Sequence, residues 1–404
     1  MGTLKLQKGK ITLSVITITI CTLAFVMLFY TETISRFSFR LKSCPRRNTA
    51  KKSSQDDRNR DFGALNYAAD DRFEFDPEEC SLVHGKWVFN RSIKPLYSDR
   101  TCRYLDRQVS CVKNGRPDSD YRHWEWQPDD CILPRFDPEI AEKRLQRLNR
   151  SSGSDGKSFV CLVDSVIPQG TEIHETRPFA FVFKAKEYNA TIEFYWAPFL
   201  VESNSDLHII ADPKKRIMKV DSVAKHAKHW IGVDILVFDT YVWWMGRLRT
   251  HYGVLLPMEK KDIKNWTHLF LTIGLKTWAN WVDSNLNPNR TRVFFTTMSP
   301  LHERCFNETK PITKKRYWGS GSNKQMMSVV ARVVKRMKFP VTLINITQLS
   351  EYRIDAHTSI YTELGGKLLT DEQQADPLHY ADCVHWCLPG VPDTWNQILY
   401  AHLL

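Results

Sequence analysis

The 404-residue sequence is short of features that several protein classes require. It contains no internal repeat and no low-complexity tract, which excludes architectures built from repeats. Cys383 and Cys387 lie close together, but no second close cysteine pair accompanies them to complete a tetrahedral zinc site. We therefore expect no bound metal.

One long uncharged run is nevertheless present at the N-terminus. Residues 11–30 carry no charged side chain, and a run of that length at about 1.5 Å per residue spans the hydrocarbon core of a bilayer. Bulky residues close the run where a cleaved signal peptide has small ones, which indicates an uncleaved anchor. The lysine-bearing residues 1–10 should stay cytosolic, so the sequence predicts a single-pass type II membrane protein.

The chain after the anchor divides into a stem and one large domain. Residues 31–76 are rich in charge and have little to bury, so we expect a flexible stem. Residues 77–404 show no clear linker and are predicted to form a lumenal domain, with a cysteine-rich N-terminal lobe at residues 80–135.

Two further features are typical of a lumenal domain. Eight cysteines remain after Cys21 and Cys44 are set aside, and an even number in an oxidising compartment indicates four disulfides. Seven sequons of the Asn-x-Ser/Thr type are typical of a glycosylated surface. These sequons begin at Asn90, Asn149, Asn189, Asn265, Asn289, Asn307 and Asn345.

The net charge of +12 favours acidic polysaccharide over nucleic acid as a partner. Lysine and arginine are spread widely, and a lumenal protein does not meet nucleic acid. The dense cluster at residues 214–219 is interpreted as a solvated loop or helix face. Most of the thirteen tryptophans should be core residues, although Trp243 and Trp244 have a second interpretation as stacking platforms for sugar rings.

Short apolar runs alternate with helical periodicity in the C-terminal half. Residues 235–238, 292–296 and 341–344 suit buried parallel strands, and apolar residues between them recur at helical spacing. This order predicts an α/β fold with a sheet flanked by helices and a site at the carboxyl ends of the strands. Residues 179–183 and 191–196 predict an antiparallel hairpin, at an edge or in an insertion.

The most informative segment lies near the C-terminus. Asp382 and His385 are three residues apart, which would place both side chains on one face of a helical turn. A carboxylate there can hold the imidazole in one tautomer, leaving the other nitrogen to accept a proton from a hydroxyl. An ordinary surface pair is the alternative, and the flanking Cys383 and Cys387 favour a built site.

Longer motifs extend from Cys80 to the C-terminus. The N-terminal blocks include Gly85-Lys-Trp-Val-Phe89, Cys111-Val-Lys-Asn-Gly-Arg-Pro-Asp118 and Trp124-Glu-Trp-Gln-Pro128. Later blocks include Val237-Phe-Asp-Thr-Tyr-Val-Trp-Trp244, Met298-Ser-Pro-Leu-His302 and Asp355-Ala-His-Thr-Ser359. Together with the Asp382 segment, they resemble the plant trichome birefringence-like family, closest to its xylan O-acetyltransferase branch.

That resemblance implies a Golgi membrane enzyme with an SGNH-hydrolase-like fold. It implies a Ser-His-Asp triad, in which Asp382 and His385 are two members, acting on xylan or a related cell-wall polysaccharide. We expect no bound cofactor, and the sequence does not identify the acetyl donor. The disulfide pairing that it implies is Cys80–Cys131, Cys102–Cys161, Cys111–Cys387 and Cys305–Cys383.

The sequence departs from the family at the nucleophile. Family members carry a strand that runs into Gly-Asp-Ser-Leu, whereas this chain has no Gly-Asp-Ser and no apolar strand there. Ser154 is our candidate nucleophile because it lies in a turn-like Gly-Ser-Asp sequence. A serine hydroxyl needs a fixed turn, a base and an oxyanion hole to attack, and a flexible loop supplies none of these. Asp239 stands where relatives often carry Asn.

Three functions remain open from the sequence. The first is transfer of acetyl groups to xylosyl residues through Ser154, His385 and Asp382. The second is a catalytically impaired relative that binds xylan or acts as a scaffold. The third is an esterase of the secretory pathway that uses the same triad with water as the acceptor.

Overall fold

The structure is a computed structural model in which the described residues are 80–136, 151–152, 172–177, 180–185, 190–206, 210, 215–245, 249–250 and 263–403. None of the helices in these ranges is long and apolar enough to cross a membrane. The predicted anchor at residues 11–30 and the predicted stem at residues 31–76 lie outside the described residues.

The described secondary structure contains sixteen strands, seven α-helices and four short 3-10 helices. The strands are β1 (Gly85–Phe89), β2 (Trp124–Pro128), β3 (Ser151–Ser152), β4 (Glu172–Arg177), β5 (Ala180–Ala185), β6 (Ala190–Tyr195), β7 (Glu202–Ser203), β8 (Ile217–Lys219), β9 (Ile235–Phe238), β10 (Arg249–Thr250), β11 (Arg292–Thr296), β12 (Val341–Ile344), β13 (His357–Ser359), β14 (Glu363–Leu364), β15 (Lys367–Leu368) and β16 (Asp382–Trp386). The helices are α1 (Ala224–Ala227), α2 (Ile263–Asn285), α3 (Lys324–Val334), α4 (Thr347–Glu351), α5 (Asp371–Gln374), α6 (Pro377–Tyr380) and α7 (Val391–Leu403).

Seven strands form the main sheet in the order β12-β11-β9-β3-β6-β5-β4. Strands β9, β11 and β12 run parallel to one another, and α2 and α3 lie between them in sequence, as the alternation of patterns predicted. The predicted hairpin is β5 and β6, which pair antiparallel. It is part of the main sheet, because β6 also pairs parallel with β3.

A short polar strand is present just before Ser154, where the sequence shows no apolar strand. A two-residue strand, β3, occupies the central place in the sheet, between β6 and β9. Ser151 pairs with Ile192 on one side and Ile235 on the other. Backbone groups make these pairings whatever side chains they carry, so a polar pair of serines fills a position that usually takes an apolar run.

Both faces of the sheet are covered, because successive side chains of a strand point to opposite faces. On one face, Val293 and Phe295 of β11 join the core that α2 and α3 complete. On the other, Phe294 packs in a second core with Ile398 of α7 and with residues of the N-terminal lobe. Several of the apolar residues that recur at helical spacing, such as Trp278 of α2 and Val330 of α3, are buried in the first core.

Disulfides join the N-terminal lobe and the C-terminal segment into the domain. Cys80–Cys131, Cys111–Cys387 and Cys305–Cys383 are present. Cys102 is disulfide-bonded as well, but its predicted partner Cys161 lies outside the described residues. Because Cys111–Cys387 and Cys305–Cys383 both end beside His385, they attach the segment around it to two distant parts of the chain.

Two local predictions were wrong. Asp382–Trp386 is a strand, β16, that pairs antiparallel with β13, and not a helical turn. Pairing with β13 satisfies its backbone groups in an extended form, which overrides the local spacing. The basic cluster is partly a strand, β8, rather than a solvated loop or helix face: Lys219 is exposed but Met218 is fully buried.

Candidate active site

Asp382 and His385 meet although they lie on a strand. The Asp382 Oδ2 atom accepts a hydrogen bond from His385 Nδ1 over 2.7 Å. The other carboxylate oxygen accepts the backbone N–H groups of Val384 and His385, both at 3.0 Å. These two bonds turn the chain around the carboxylate, and the register of β13 and β16 shifts at the same place. The irregularity in the strand therefore brings the side chains of Asp382 and His385 together, as the predicted helical turn was expected to do.

The electrostatics of the pair suit a base oriented by a carboxylate. Burial raises the pKa of Asp382, but the hydrogen bonds and charge of His385 outweigh it and hold the pKa well below its usual range. The carboxylate is therefore ionised and fixes the proton of His385 on Nδ1. The Nε2 atom is left with a lone pair that can accept a proton from a hydroxyl. The His385 side chain is 46% exposed, so a large substrate can reach it.

Sequence reasoning missed two further groups on this carboxylate. Gln108, from the N-terminal lobe, donates through Nε2 to Asp382 Oδ2 at 3.5 Å, and the same nitrogen lies 3.1 Å from His385 Nδ1. The Thr362 hydroxyl donates to Asp382 Oδ2 at 3.4 Å. Neither residue belongs to a recognisable catalytic spacing. The one signal in the sequence is that Gln108 lies three residues before Cys111, whose disulfide leads to Cys387.

A cavity of about 580 Å³ opens beside His385. Its walls come from the ends of β6 and β9, from the segments that follow them and from β16, which agrees with a site at the carboxyl ends of parallel strands. Aromatic side chains are numerous in its lining, which also includes polar residues such as Asp239 and Ser299. The aromatic members are Phe194, Tyr195, Trp196, Trp230, Phe238, Tyr241 and Trp243.

The two neighbouring tryptophans have different roles. Trp244 is completely buried and belongs to the core, so its interpretation as a sugar platform was wrong. Trp243 is partly buried, lines the cavity and makes an edge contact with Trp196, with 5.7 Å between ring centres. Burial first, and then the charge of Asp239, raises the pKa of Tyr241, which therefore remains a neutral phenol beside the cavity.

The candidate nucleophile Ser154 lies outside the described residues. The last described residue before it is Ser152 of β3, two positions earlier in the sequence. Strand β3 pairs with β6 and β9, the same two strands whose ends line the cavity. The structure thus brings Asp382 and His385 together, and Ser154 stays a prediction.

Comparison with known proteins identifies the family to which the chain belongs. Residues 152–402 match the model of the PC-Esterase family, a GDSL/SGNH-like acyl-esterase family found in Pmr5 and Cas1p, and residues 78–132 match the PMR5 N-terminal domain. The chain is 57% identical to protein trichome birefringence-like 3 of Arabidopsis thaliana, over 98% of this chain and 97% of that protein. The chain belongs to the trichome birefringence-like family.

Other members of the family are also similar. Protein trichome birefringence-like 31 of Arabidopsis thaliana is 46% identical over 81% of this chain and 83% of its own length. Xylan O-acetyltransferase 3 of Oryza sativa subsp. japonica is 42% identical over 81% of this chain and 76% of its own length. The resemblance predicted from the motifs is therefore confirmed, and membership of an acyl-esterase family supports acyl transfer as the chemistry of the trichome birefringence-like domain.

Proposed function

We propose that this protein is a Golgi polysaccharide O-acetyltransferase that acetylates xylosyl residues of xylan. The observation that carries the proposal is the Asp382–His385 pair, which opens onto a cavity with aromatic walls in a chain of the acyl-esterase family. Aromatic faces suit sugar rings, and Trp196 and Trp243 are partly buried tryptophans in the cavity lining that can stack on one. The similarity to xylan O-acetyltransferase 3 supports xylan as the acceptor.

The proposed reaction has two acyl-transfer steps. A serine oxygen, which we assign to Ser154, bonds to the acetyl carbon while the donor leaves and takes up the serine proton through His385. A sugar hydroxyl then gives its proton to His385 Nε2, and its oxygen bonds to the acetyl carbon. The serine–acetyl bond breaks, and the serine oxygen recovers the proton from His385. Asp382 stays ionised and stabilises the imidazolium formed in each step.

Two alternatives have a definite basis. The missing Gly-Asp-Ser turn and the reduction of β3 to two serines favour an impaired relative that binds xylan or serves as a scaffold. An esterase would use the same groups with water in place of the sugar hydroxyl. Both alternatives retain the cavity, and they differ from the transferase in the product that forms.

The test is product analysis with the full-length chain and an unacetylated xylan oligomer. Acetyl-coenzyme A and an activated acetyl ester are offered as donors in separate reactions, each with and without the oligomer. We expect acetylated oligomer from the wild type and none from Ser154→Ala or His385→Ala. Loss in the His385 variant alone would assign another serine. Acetate released equally without oligomer would identify an esterase, and no turnover in any variant would favour the scaffold.

We further propose the compartment and the surface chemistry. Residues 11–30 would anchor the chain in the Golgi membrane with residues 77–404 in the lumen, where disulfides form. Among the sequon asparagines whose burial is described, Asn289 and Asn307 are exposed, whereas Asn90 and Asn345 are partly buried; Asn149 and Asn189 lie outside the described residues. Removal of N-glycans with an endoglycosidase, followed by protease protection of intact vesicles, tests both the orientation and the glycans.

A further inference from the structure

Two buried histidines lie directly behind the catalytic segment. His302 Nδ1 and His357 Nε2 are 2.6 Å apart. The outer nitrogen of His302 lies 3.0 Å from the backbone carbonyl of Glu351, and the outer nitrogen of His357 lies 3.0 Å from the backbone carbonyl of His385. The His357 ring also stacks on Trp386, with 3.9 Å between ring centres. The two rings thus connect α4 to the main chain of the catalytic histidine.

The number of protons in this chain of hydrogen bonds is informative. Both ends of the chain are carbonyl oxygens, which only accept, so each outer ring nitrogen must carry a proton. The short contact between the rings needs a third proton. Two neutral imidazoles carry only two protons on their ring nitrogens. One of the three contacts would then have no proton, and two lone pairs would face each other in a buried site. Three protons satisfy every contact, and that state is a pair with one positive charge.

A buried carboxylate lies next to the pair and supplies the matching negative charge. Glu351 is completely buried, and its Oε2 atom is 4.0 Å from His302 Nε2 with no hydrogen-bond partner. Its other oxygen accepts from the Ser322 hydroxyl. Among the described residues, His302 is the one group in ion-pair range of Glu351. A neutral histidine pair would leave this carboxylate without a counter-charge, which is costly in a buried site.

The other charged groups around the pair are already matched. Arg353 forms a buried ion pair with Asp355, and Arg116, which also donates to the His357 carbonyl, pairs with Asp118. Asp382 is matched by His385. These are the charged groups on the lobe, on the loop after α4 and on β16 that face the two rings, and none of them is available to neutralise Glu351.

We propose that His302 and His357 share one extra proton, balanced by Glu351, and that this buried cation fixes the main chain of His385. The pair is a positioning device, since neither ring is placed at the cavity wall. Without the proton, one of the three contacts in the chain is lost, which breaks the continuous connection between α4 and the His385 carbonyl. The protonation itself is independent of the acetyl transfer proposed above, and only its catalytic consequence rests on that function.

Opposite forces act on the pKa of these rings. Burial lowers the pKa of His302 and lowers that of His357 to about 3, whereas the Glu351 carboxylate raises the pKa of His302 and the His385 carbonyl raises that of His357. A neutral pair would leave one buried contact without a proton, and we infer that this cost outweighs the effect of burial. The pKa of the proton that the two rings share is therefore raised in the folded protein. Stability from this source is then complete below the unfolded value of about 6.5 and is lost as the pH rises through the folded value.

The direct experiment counts the ring protons. The full-length chain, solubilised and labelled with ¹⁵N in its histidine rings, is studied by NMR at pH 7.5. His302→Gln and His357→Gln assign the signals, Glu351→Gln removes the counter-charge without changing shape, and His379→Gln on exposed α6 is the control. We expect three protonated nitrogens for the pair in the wild type and two in Glu351→Gln. A shift of the His385 ring signal in Glu351→Gln, absent in His379→Gln, would show the positioning.

A second measurement covers variants that fold poorly. The folding equilibrium constant of the wild type, divided by that of Glu351→Gln, should fall about tenfold per pH unit around pH 7.5, where the folded wild type holds one more proton than the folded variant. The histidines of the two unfolded states titrate alike and cancel in this ratio. Two protonated nitrogens in the wild type, or a ratio that falls as the pH drops below 6.5, would overturn the proposal. Neither readout needs acetyl transfer, so an inactive enzyme would leave this test intact.

Discussion

Two Asp-x-x-His pairs lie within ten residues of each other, and only one has the setting of an active site. Asp376 and His379 sit at the start of α6, with the His379 Nδ1 atom 2.8 Å from a carboxylate oxygen. Asp382 and His385 make a contact of 2.7 Å on β16. The side-chain exposures are 76% and 46% for His379 and Asp376, against 46% and 15% for His385 and Asp382.

The difference shows that spacing and contact distance do not define a catalytic pair. The exposed pair has the helical-turn geometry that the spacing predicts, yet no cavity wall and no additional donor to its carboxylate are described there. The second pair lies on an irregular strand, and its carboxylate receives Gln108, Thr362 and two backbone N–H groups. A fixed and partly dehydrated carboxylate orients its histidine, whereas an exposed one competes with water.

The largest expected effect separates the two histidines. His385→Ala should reduce acetyl transfer to xylan oligomer by a factor on the order of 10⁴ to 10⁶, because the base of a triad is removed. His379→Ala should leave the rate within about twofold, since an exposed ion pair contributes little. Initial rates with matched amounts of folded protein make the comparison. Equal losses of transfer rate in the two variants would contradict the assignment of the Asp382–His385 pair, rather than the Asp376–His379 pair, to the active site.

Replacement of the carboxylates should give the next largest effect. Asp382→Asn keeps the shape but loses the tautomer control, and we expect transfer to fall by about 10⁴-fold. The lowered pKa of Asp382 also stabilises the fold above the unfolded value of about 3.9, and this contribution is lost as the pH falls through the folded value. Denaturant unfolding at several pH values should therefore show wild type and Asp382→Asn converging below pH ~4. Asp376→Asn is the matched control and should alter neither property.

A smaller effect tests the support from the N-terminal lobe. Gln108→Ala removes a donor to the ionised Asp382, and the loss of such a hydrogen bond should lower kcat by about 10- to 100-fold with KM unchanged. Gln127→Ala, on the exposed side of β2 in the same lobe, should behave like the wild type. An unchanged kcat in Gln108→Ala would mean that the lobe does not support the pair.

The smallest effect concerns another motif that occurs in exposed and partly buried copies. Asn307 is exposed, whereas Asn345 is partly buried at the end of β12 and its Oδ1 atom accepts from Thr297 over 3.3 Å. We expect Asn307→Gln to lose one glycan and Asn345→Gln to lose none, with activity retained in Asn307→Gln. Gel mobility before and after glycan removal reports both. A glycan on Asn345 would contradict the rule that exposure selects among identical motifs.

Local sequence patterns predicted much of the fold. The strands at residues 235–238, 292–296 and 341–344 match β9, β11 and β12, and the helices between them follow from apolar spacing. These elements are predictable because burial on a sheet or helix face imposes a period on neighbouring residues. The polar strand β3 escaped prediction, because backbone pairing with β6 and β9 places it without any apolar period.

The candidate site was predictable only as far as its residues are neighbours in the chain. The sequence by itself determined the Asp382–His385 pair and the family motifs, since each depends on residue identity and short spacing. The three disulfides of the described residues had been implied only by the family resemblance. Tertiary structure alone placed His385 at the wall of the cavity, and it brought Gln108 to His385 across 277 positions and His302 to His357 across 55. Contacts over such distances leave no local period, because they depend on how the strands and disulfides close the whole domain.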